Sequence, residues 1–243
     1  MITFFRTIFF EPLYNLLVHL TAVLPGGSIG LAVIIITILV KLVLLPFNIK
    51  TVVSQIQLKK IQPELDRIKE ETPDRTEQAR KTMELYKKYG VNPLSGCLPV
   101  LIQIPVVISL YYVFFQGVSF DASLLYEGVT IPETIKTTFL GADLGGKSLG
   151  LALLAGITQF FSISIANKRN VLRVGLKEQS FQGQLGKSLQ FQMKYILPIF
   201  IAFIAYRLAG AVALYWVVNN LVTIVIEVFV TKKYDNKPLV SVL

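Results

Sequence analysis

The sequence predicts an all-α polytopic membrane protein, and three observations carry that expectation. Of 243 residues, 53% are hydrophobic and only 16% are charged, against about 25% charged in an ordinary soluble domain. Mean hydropathy is +0.60. The apolar residues also fall into blocks of roughly the 20 residues that a bilayer core requires, separated by segments that hold most of the charge. The net charge of +9 does not point to nucleic acid, because the inner loops of membrane proteins collect Lys and Arg. No sequence-specific nucleic-acid contact is expected. Cys97 is the only cysteine and His19 the only histidine, so an internal disulfide, a cysteine metal cluster and a zinc site are excluded, and metal and thiol catalysis have almost no material.

Residues 1–28 form the first element. Ile2, Phe5, Phe9, Leu13, Leu16 and Leu20 recur at helical spacing, with Thr3, Thr7, Glu11 and Asn15 along the other side. That pattern predicts an amphipathic helix lying in the membrane interface. A signal peptide fits less well, because Arg6, Glu11, Asn15 and His19 interrupt the apolar run. Pro25-Gly26-Gly27 ends this helix and Ser28 caps the next.

Five spans are expected: 29–47, 97–116, 148–166, 193–208 and 209–230. The last apolar block, 195–230, would be about 54 Å long as one helix, too long for a core of about 30 Å. Leu208-Ala209-Gly210 therefore reads as a tight turn between two short spans. Loop charge sets the orientation. Residues 50–92 hold ten Lys or Arg, 167–195 hold six and 231–243 hold three, whereas 118–147 hold two against four acids. Five spans put all the basic segments on the cytoplasmic side, with the N-terminus outside and the C-terminus inside. The loops are then 117–147 outside and 167–192 inside, and 231–243 is a short basic tail.

Residues 48–96 are too long for a simple connection. Val53, Ile56, Leu58, Ile61, Leu65 and Ile68 mark one helix, and Thr72-Pro73 reads as the N-cap and first residue of a second helix that Gly90 ends. This is a charged helical hairpin on the cytoplasmic face, fit to dock a partner.

Polar residues inside the spans carry the functional reading. Lys41 sits in an otherwise apolar helix, six residues before Phe47. A charge in hydrocarbon costs about 2.5–3.5 kcal/mol on insertion scales, so Lys41 either snorkels to a helix end or faces a wet cavity. Thr37 lies one turn before it on the same face. Gln103 lies about 8 Å, Gln159 about 10 Å and Asn220 about 15 Å from the expected cytoplasmic ends of their spans, with Asn219 beside Asn220. Trp216 shares a face with Asn220. Each alone reads more readily as interhelical glue than as a site. Together they suggest a cavity open to the cytoplasm and to lipid, with Lys41 at its base to attract acidic groups. Such a groove shortens the hydrocarbon path of a polar segment without making or breaking a bond. Neither G-x-x-x-x-G-K-[ST] nor G-x-G-x-x-G is present, and no cofactor, metal or enzymatic activity is expected.

Three runs carry a resemblance: I-L-V-K-L-V-L-L-P at 38–46, Y-K-K-Y-G-V-N-P-L-S-G-C-L-P-V-L-I-Q-I-P-V-V-I-S-L-Y-Y at 86–112, and L-Y-W-V-V-N-N-L-V-T-I at 214–224. The chain resembles the YidC-type membrane protein insertases over about 5–233. The resemblance implies a five-helix core with a positively charged groove that inserts small membrane proteins, alone or beside the Sec translocon. Nascent membrane proteins, the lipid bilayer and possible contacts of ribosomes or targeting factors with the hairpin and loops are the partners it implies, in a bacterial plasma or inner membrane. The family's groove cation, usually arginine, falls on Lys41, and its groove-lining positions fall on Thr37, Gln159 and Trp216. Gln103, Asn219 and Asn220 are added from depth alone. With only 1–28 before the first span and a short tail, neither a large outer domain nor a long ribosome-binding extension is expected. The competing expectations are a small-anion transporter built on Lys41 and a membrane scaffold acting through the hairpin.

Overall fold

The structure is a computed structural model that describes residues 6–92, 98–115, 120–167, 188 and 191–236. The helices are α1 (Glu11–Val23), α2 (Ile29–Val43), α3 (Leu45–Lys60), α4 (Gln62–Glu71), α5 (Arg75–Lys88), α6 (Leu98–Phe115), α7 (Leu149–Asn167), α8 (Leu197–Arg207) and α9 (Gly210–Tyr234). One small antiparallel pair, β1 (Thr138–Phe139) and β2 (Ala142–Asp143), lies between α6 and α7. Wider π-helical turns precede α1, at Arg6–Phe10, and α8, at Gln192–Ile196. The chain divides into two units, Met1–Leu44 with Val100–Gln159 and Pro198–Val222, and Leu45–Pro99 with Phe160–Leu197 and Thr223–Leu243.

The first unit holds the larger core, in which Leu17, Val18, Ile29, Ile36, Leu144 and Val212 are fully buried. Its entry turn follows from residue chemistry. Gly26 and Gly27 have φ of 66° and 62°, in the left-handed region that glycine enters without cost. A Cβ on Gly27 would lie 1.9 Å from the Thr134 carbonyl oxygen. The Ser28 hydroxyl accepts the Leu31 N–H at 3.4 Å and caps α2 as expected. The Lys136 N–H donates to the Gly27 carbonyl at 2.9 Å, tying this turn to the strand region.

The described part of the connection between α6 and α7, from residue 120 on, is held by backbone hydrogen bonds. The β1–β2 turn carries Leu140 at φ 48° and Gly141 at φ 80°. The Gly210 N–H donates to the Gly146 carbonyl and the Ala211 N–H to that of Leu144, at 2.7 and 3.0 Å. Two of the first amides of α9, which no helix can satisfy internally, are thereby paired. α7 and α8 approach closely at Gly156, where a Cβ would lie 2.8 Å from the Ala202 Cβ and 2.9 Å from the Pro198 carbonyl oxygen.

The second unit packs Ile61, Leu65, Leu85 and Val91 between α4, α5 and the segment after α5. The Tyr89 hydroxyl donates to Glu64 at 2.5 Å, Gln78 Nε2 to the Lys69 carbonyl at 3.3 Å and Lys81 Nζ to the Thr72 hydroxyl at 3.2 Å. A second cluster joins Val52 and Ile56 of α3 to Val230 of α9.

Four local expectations are corrected. In α1 the most buried face is Tyr14, Leu17, Val18 and Thr21, with Leu13, Leu16 and Leu20 only partly covered. Asn15, expected on the wet side, is buried. It donates to the carbonyls of Glu11 and Leu124, at 2.9 and 3.0 Å, and accepts the Tyr126 N–H at 2.7 Å. Loop backbone replaces water for this amide, so its burial is satisfied. The helix expected to run unbroken through residues 29–47 breaks at Leu44, where α2 ends and Leu45 begins α3. The expected first hairpin helix is divided at Ile61, where Pro63 enters the first turn of α4 without a donor to lose. Finally, Asp74, not Thr72, caps α5, accepting the N–H groups of Thr76 and Glu77 at 2.6 and 3.1 Å.

By length and composition α7 and α9 are each able to cross a membrane, and α2 with α3 makes a third if read as one span broken at Leu44. α8 has 11 residues. Large apolar side chains face outward on α7 (Leu153, Ile157, Phe161), α8 (Ile199, Phe203) and α9 (Val225, Phe229), each more than half exposed.

Candidate functional site

Helical spacing places Thr37 and Lys41 one turn apart in α2. Thr37 is 1% exposed and its hydroxyl donates to the Val33 carbonyl at 2.6 Å. A hydroxyl donated to its own helix is satisfied as a donor and keeps acceptor capacity. Lys41 is half-buried in the last turn of α2, two residues before that helix ends. The basic group thus stands at the C-terminal end of the helix, the negative end of its dipole and a favourable place for a cation.

Two other expected residues are joined to partners across helices. Gln103 of α6 donates through Nε2 to the Tyr215 hydroxyl of α9. Asn220 of α9, 3% exposed, donates through Nδ2 to the Thr158 hydroxyl at 3.2 Å and to the Ala155 carbonyl at 3.4 Å, both on α7. Thr158 also donates to the Leu154 carbonyl at 2.9 Å. α9 is therefore bound to α6 and α7 by polar contacts five residues apart. Thr37, Gln159 and Trp216 join neither pair. Trp216 is buried with the core of its unit, Gln159 is half-buried beside Thr158, and Asn219 is buried next to Asn220.

Tyr215 and Thr158 are the residues that depth counting overlooks. A tyrosine in an apolar helix needs a partner for its hydroxyl, so Tyr215 was detectable beside Trp216. Small hydroxyl residues are common at helix–helix contacts in membranes, which was the available signal for Thr158. Among the described residues no group of three or more His, Cys, Asp or Glu side chains is placed to hold a metal.

Helices with apolar exteriors and buried polar pairs that link their interiors define a helical integral membrane protein. The model of the 60Kd inner membrane protein family matches residues 20–237, and the chain belongs to that family. It is 35% identical over 218 residues to a protein of Clostridium tetani named membrane protein insertase YidC, covering 88% of this chain and 86% of that one. A Fusobacterium nucleatum protein of the same name is 31% identical, with 91% and 98% coverage. Membrane protein insertase MisCA of Bacillus subtilis is 31% identical, with 93% and 78%. A solved structure titled "Active YidC insertase crystal structure with the first transmembrane domain resolved" matches with a TM-score of 0.56 at 22% identity. The match covers 91% of this chain and 46% of that one. That likeness speaks for the fold.

Proposed function

We propose that the chain is a membrane protein insertase and folding aid for small membrane proteins. It crosses the membrane five times, with the N-terminus outside and the C-terminus in the cytoplasm. Thr37, Lys41, Gln103, Gln159, Trp216, Asn219 and Asn220 border a polar groove open to the cytoplasm and to lipid. Lys41 attracts acidic groups of a client segment, and the groove shortens the distance over which that segment is desolvated. Apolar client residues leave sideways into the bilayer. The chain acts alone or beside the Sec translocon, and the cytoplasmic α4–α5 hairpin meets ribosomes or targeting factors. No covalent step and no cofactor enter this cycle.

The observation that supports this reading most is the placement of Lys41, a half-buried cation one turn beyond the buried Thr37 in an apolar helix. The insertase names of relatives matched over most of their lengths support it independently. The test is complementation of an insertase-depleted bacterium with wild type, Lys41→Arg and Lys41→Ala. Rescue by the first two and failure of the third is the expected result. Arginine keeps the charge and adds a planar fork. Equal rescue by all three would show that Lys41 only snorkels. Failure of all three, with saturable anion uptake by reconstituted protein, would replace this reading with transport. Loss of rescue on removing the hairpin alone would favour a scaffold.

A further inference from the structure

A cavity of about 420 Å³ opens in the first unit where α6 and α8 end and α9 begins. Its volume lies in the range that holds a small ligand or lipid headgroup. Arg207 and Lys147 both line it. Both are exposed, and neither is in an ion pair among the described residues. The nearby carboxylate, Asp143, is turned onto its own loop, where it accepts the Gly145 N–H at 3.0 Å and crowds Gly146. Two cations therefore face the cavity against one carboxylate already engaged by backbone. Phe114, Leu208 and Val212 form an apolar wall. Exposed aromatic residues Phe203 and Tyr206 stand on α8 just before Arg207. A tyrosine such as Tyr206 at the end of an apolar helix suits the membrane–water boundary, where its apolar ring and polar tip are both accommodated.

We propose that this cavity binds the phosphate of an anionic glycerophospholipid. The guanidinium of Arg207 takes phosphate oxygens through its planar fork, and the Lys147 ammonium supplies a second charge. The glycerol and first acyl carbons lie on Phe114, Leu208 and Val212. A soluble phosphate would gain nothing from that wall. The lipid lies in the outer leaflet, a placement that rests on the proposed orientation, whereas the phosphate site does not.

The test uses the full chain in nanodiscs of phosphatidylcholine with increasing phosphatidylglycerol, and counts retained lipid by native mass spectrometry. Wild type is expected to retain phosphatidylglycerol, and Lys147→Gln/Arg207→Gln to lose about thirtyfold in retention, in line with the contribution of two basic groups at an anionic surface. Arg67→Gln/Arg80→Gln removes two charges elsewhere and is expected to change nothing. Leu208→Trp fills the cavity, keeps both charges and is expected to release the lipid. Equal retention by the double variant, the same loss in both double variants, or retention by Leu208→Trp overturns the proposal. Displacement by millimolar inorganic phosphate, with no preference for phosphatidylglycerol, reassigns the cavity to free phosphate and also overturns it. Client insertion measured in the same nanodiscs reports on the insertase reading separately, since insertion can persist when retention is lost.

Discussion

At the scale of single residues, the polar groups of the apolar helices divide by what they bond. Asn220 serves first as a tie between α7 and α9, through Thr158 and Ala155. Asn220→Ala is expected to destabilise the protein by about 0.6–1.7 kcal/mol, the range of interhelical hydrogen bonds in membranes, measured by unfolding in mixed micelles of increasing SDS. Tyr215→Phe leaves the Gln103 amide without the partner it has in the structure, and a loss of about 1–3 kcal/mol is expected in the same titration. An unchanged midpoint for Tyr215→Phe would show that Gln103 finds another acceptor. The depth of Gln103 and Asn220 was legible from position within an apolar run. Their partners were not, because depth says nothing about which side of a neighbouring helix is turned toward them.

At the scale of elements, two contacts make distinct predictions. Gly156 lets α7 and α8 approach so closely that Gly156→Leu forces a side chain into Ala202 and the Pro198 carbonyl. Overpacking of this kind costs about 1–3 kcal/mol, expected as a lower thermal midpoint in detergent, with Gly156→Ala intermediate. The α5 cap is pH-dependent. The amides of Glu77 and then Thr76, donated to Asp74, hold its carboxyl below the usual aspartate value of 3.8. A depressed folded-state pKa means that the cap's contribution is complete above the unfolded value and is lost as pH falls through the folded one. Protection of the Thr76 and Glu77 amides, taken relative to intrinsic exchange at each pH, is therefore expected to fall only below about pH 4. Asp74→Asn, which keeps a cap but does not titrate, is expected to remove that acid dependence. The cap was misplaced by two residues in the sequence because Thr72, Pro73 and Asp74 all suit a helix start. The choice among them depends on where the α4–α5 turn closes.

At the scale of the whole molecule, the insertase reading makes the charge of Lys41 matter in proportion to the client's acidity. A client whose translocated Asp and Glu residues are replaced by Asn and Gln is expected to insert equally well with wild type and Lys41→Ala, measured by protease protection. Its acidic parent is expected to need Lys41 or arginine. If both clients suffer alike from Lys41→Ala, the residue is positioning the helix and not attracting charge.

The sequence by itself determined the helical class, the order of the apolar blocks, the Pro25–Gly27 turn, the break at Leu208-Ala209 and the presence of a cation beside Thr37. These are local properties. Hydropathy, helix-stopping residues and i,i+4 spacing act within a few turns of chain. Only the tertiary structure decided which face of α1 is buried, that Asn15 grips a loop 109 residues away, and that Gln103 meets Tyr215 across 112 residues. It also decided that Arg207 and Lys147, unremarkable as loop charges, line one cavity. Contacts at such separations depend on how helices pack around one another, and an apolar helix presents several faces that hydropathy cannot tell apart.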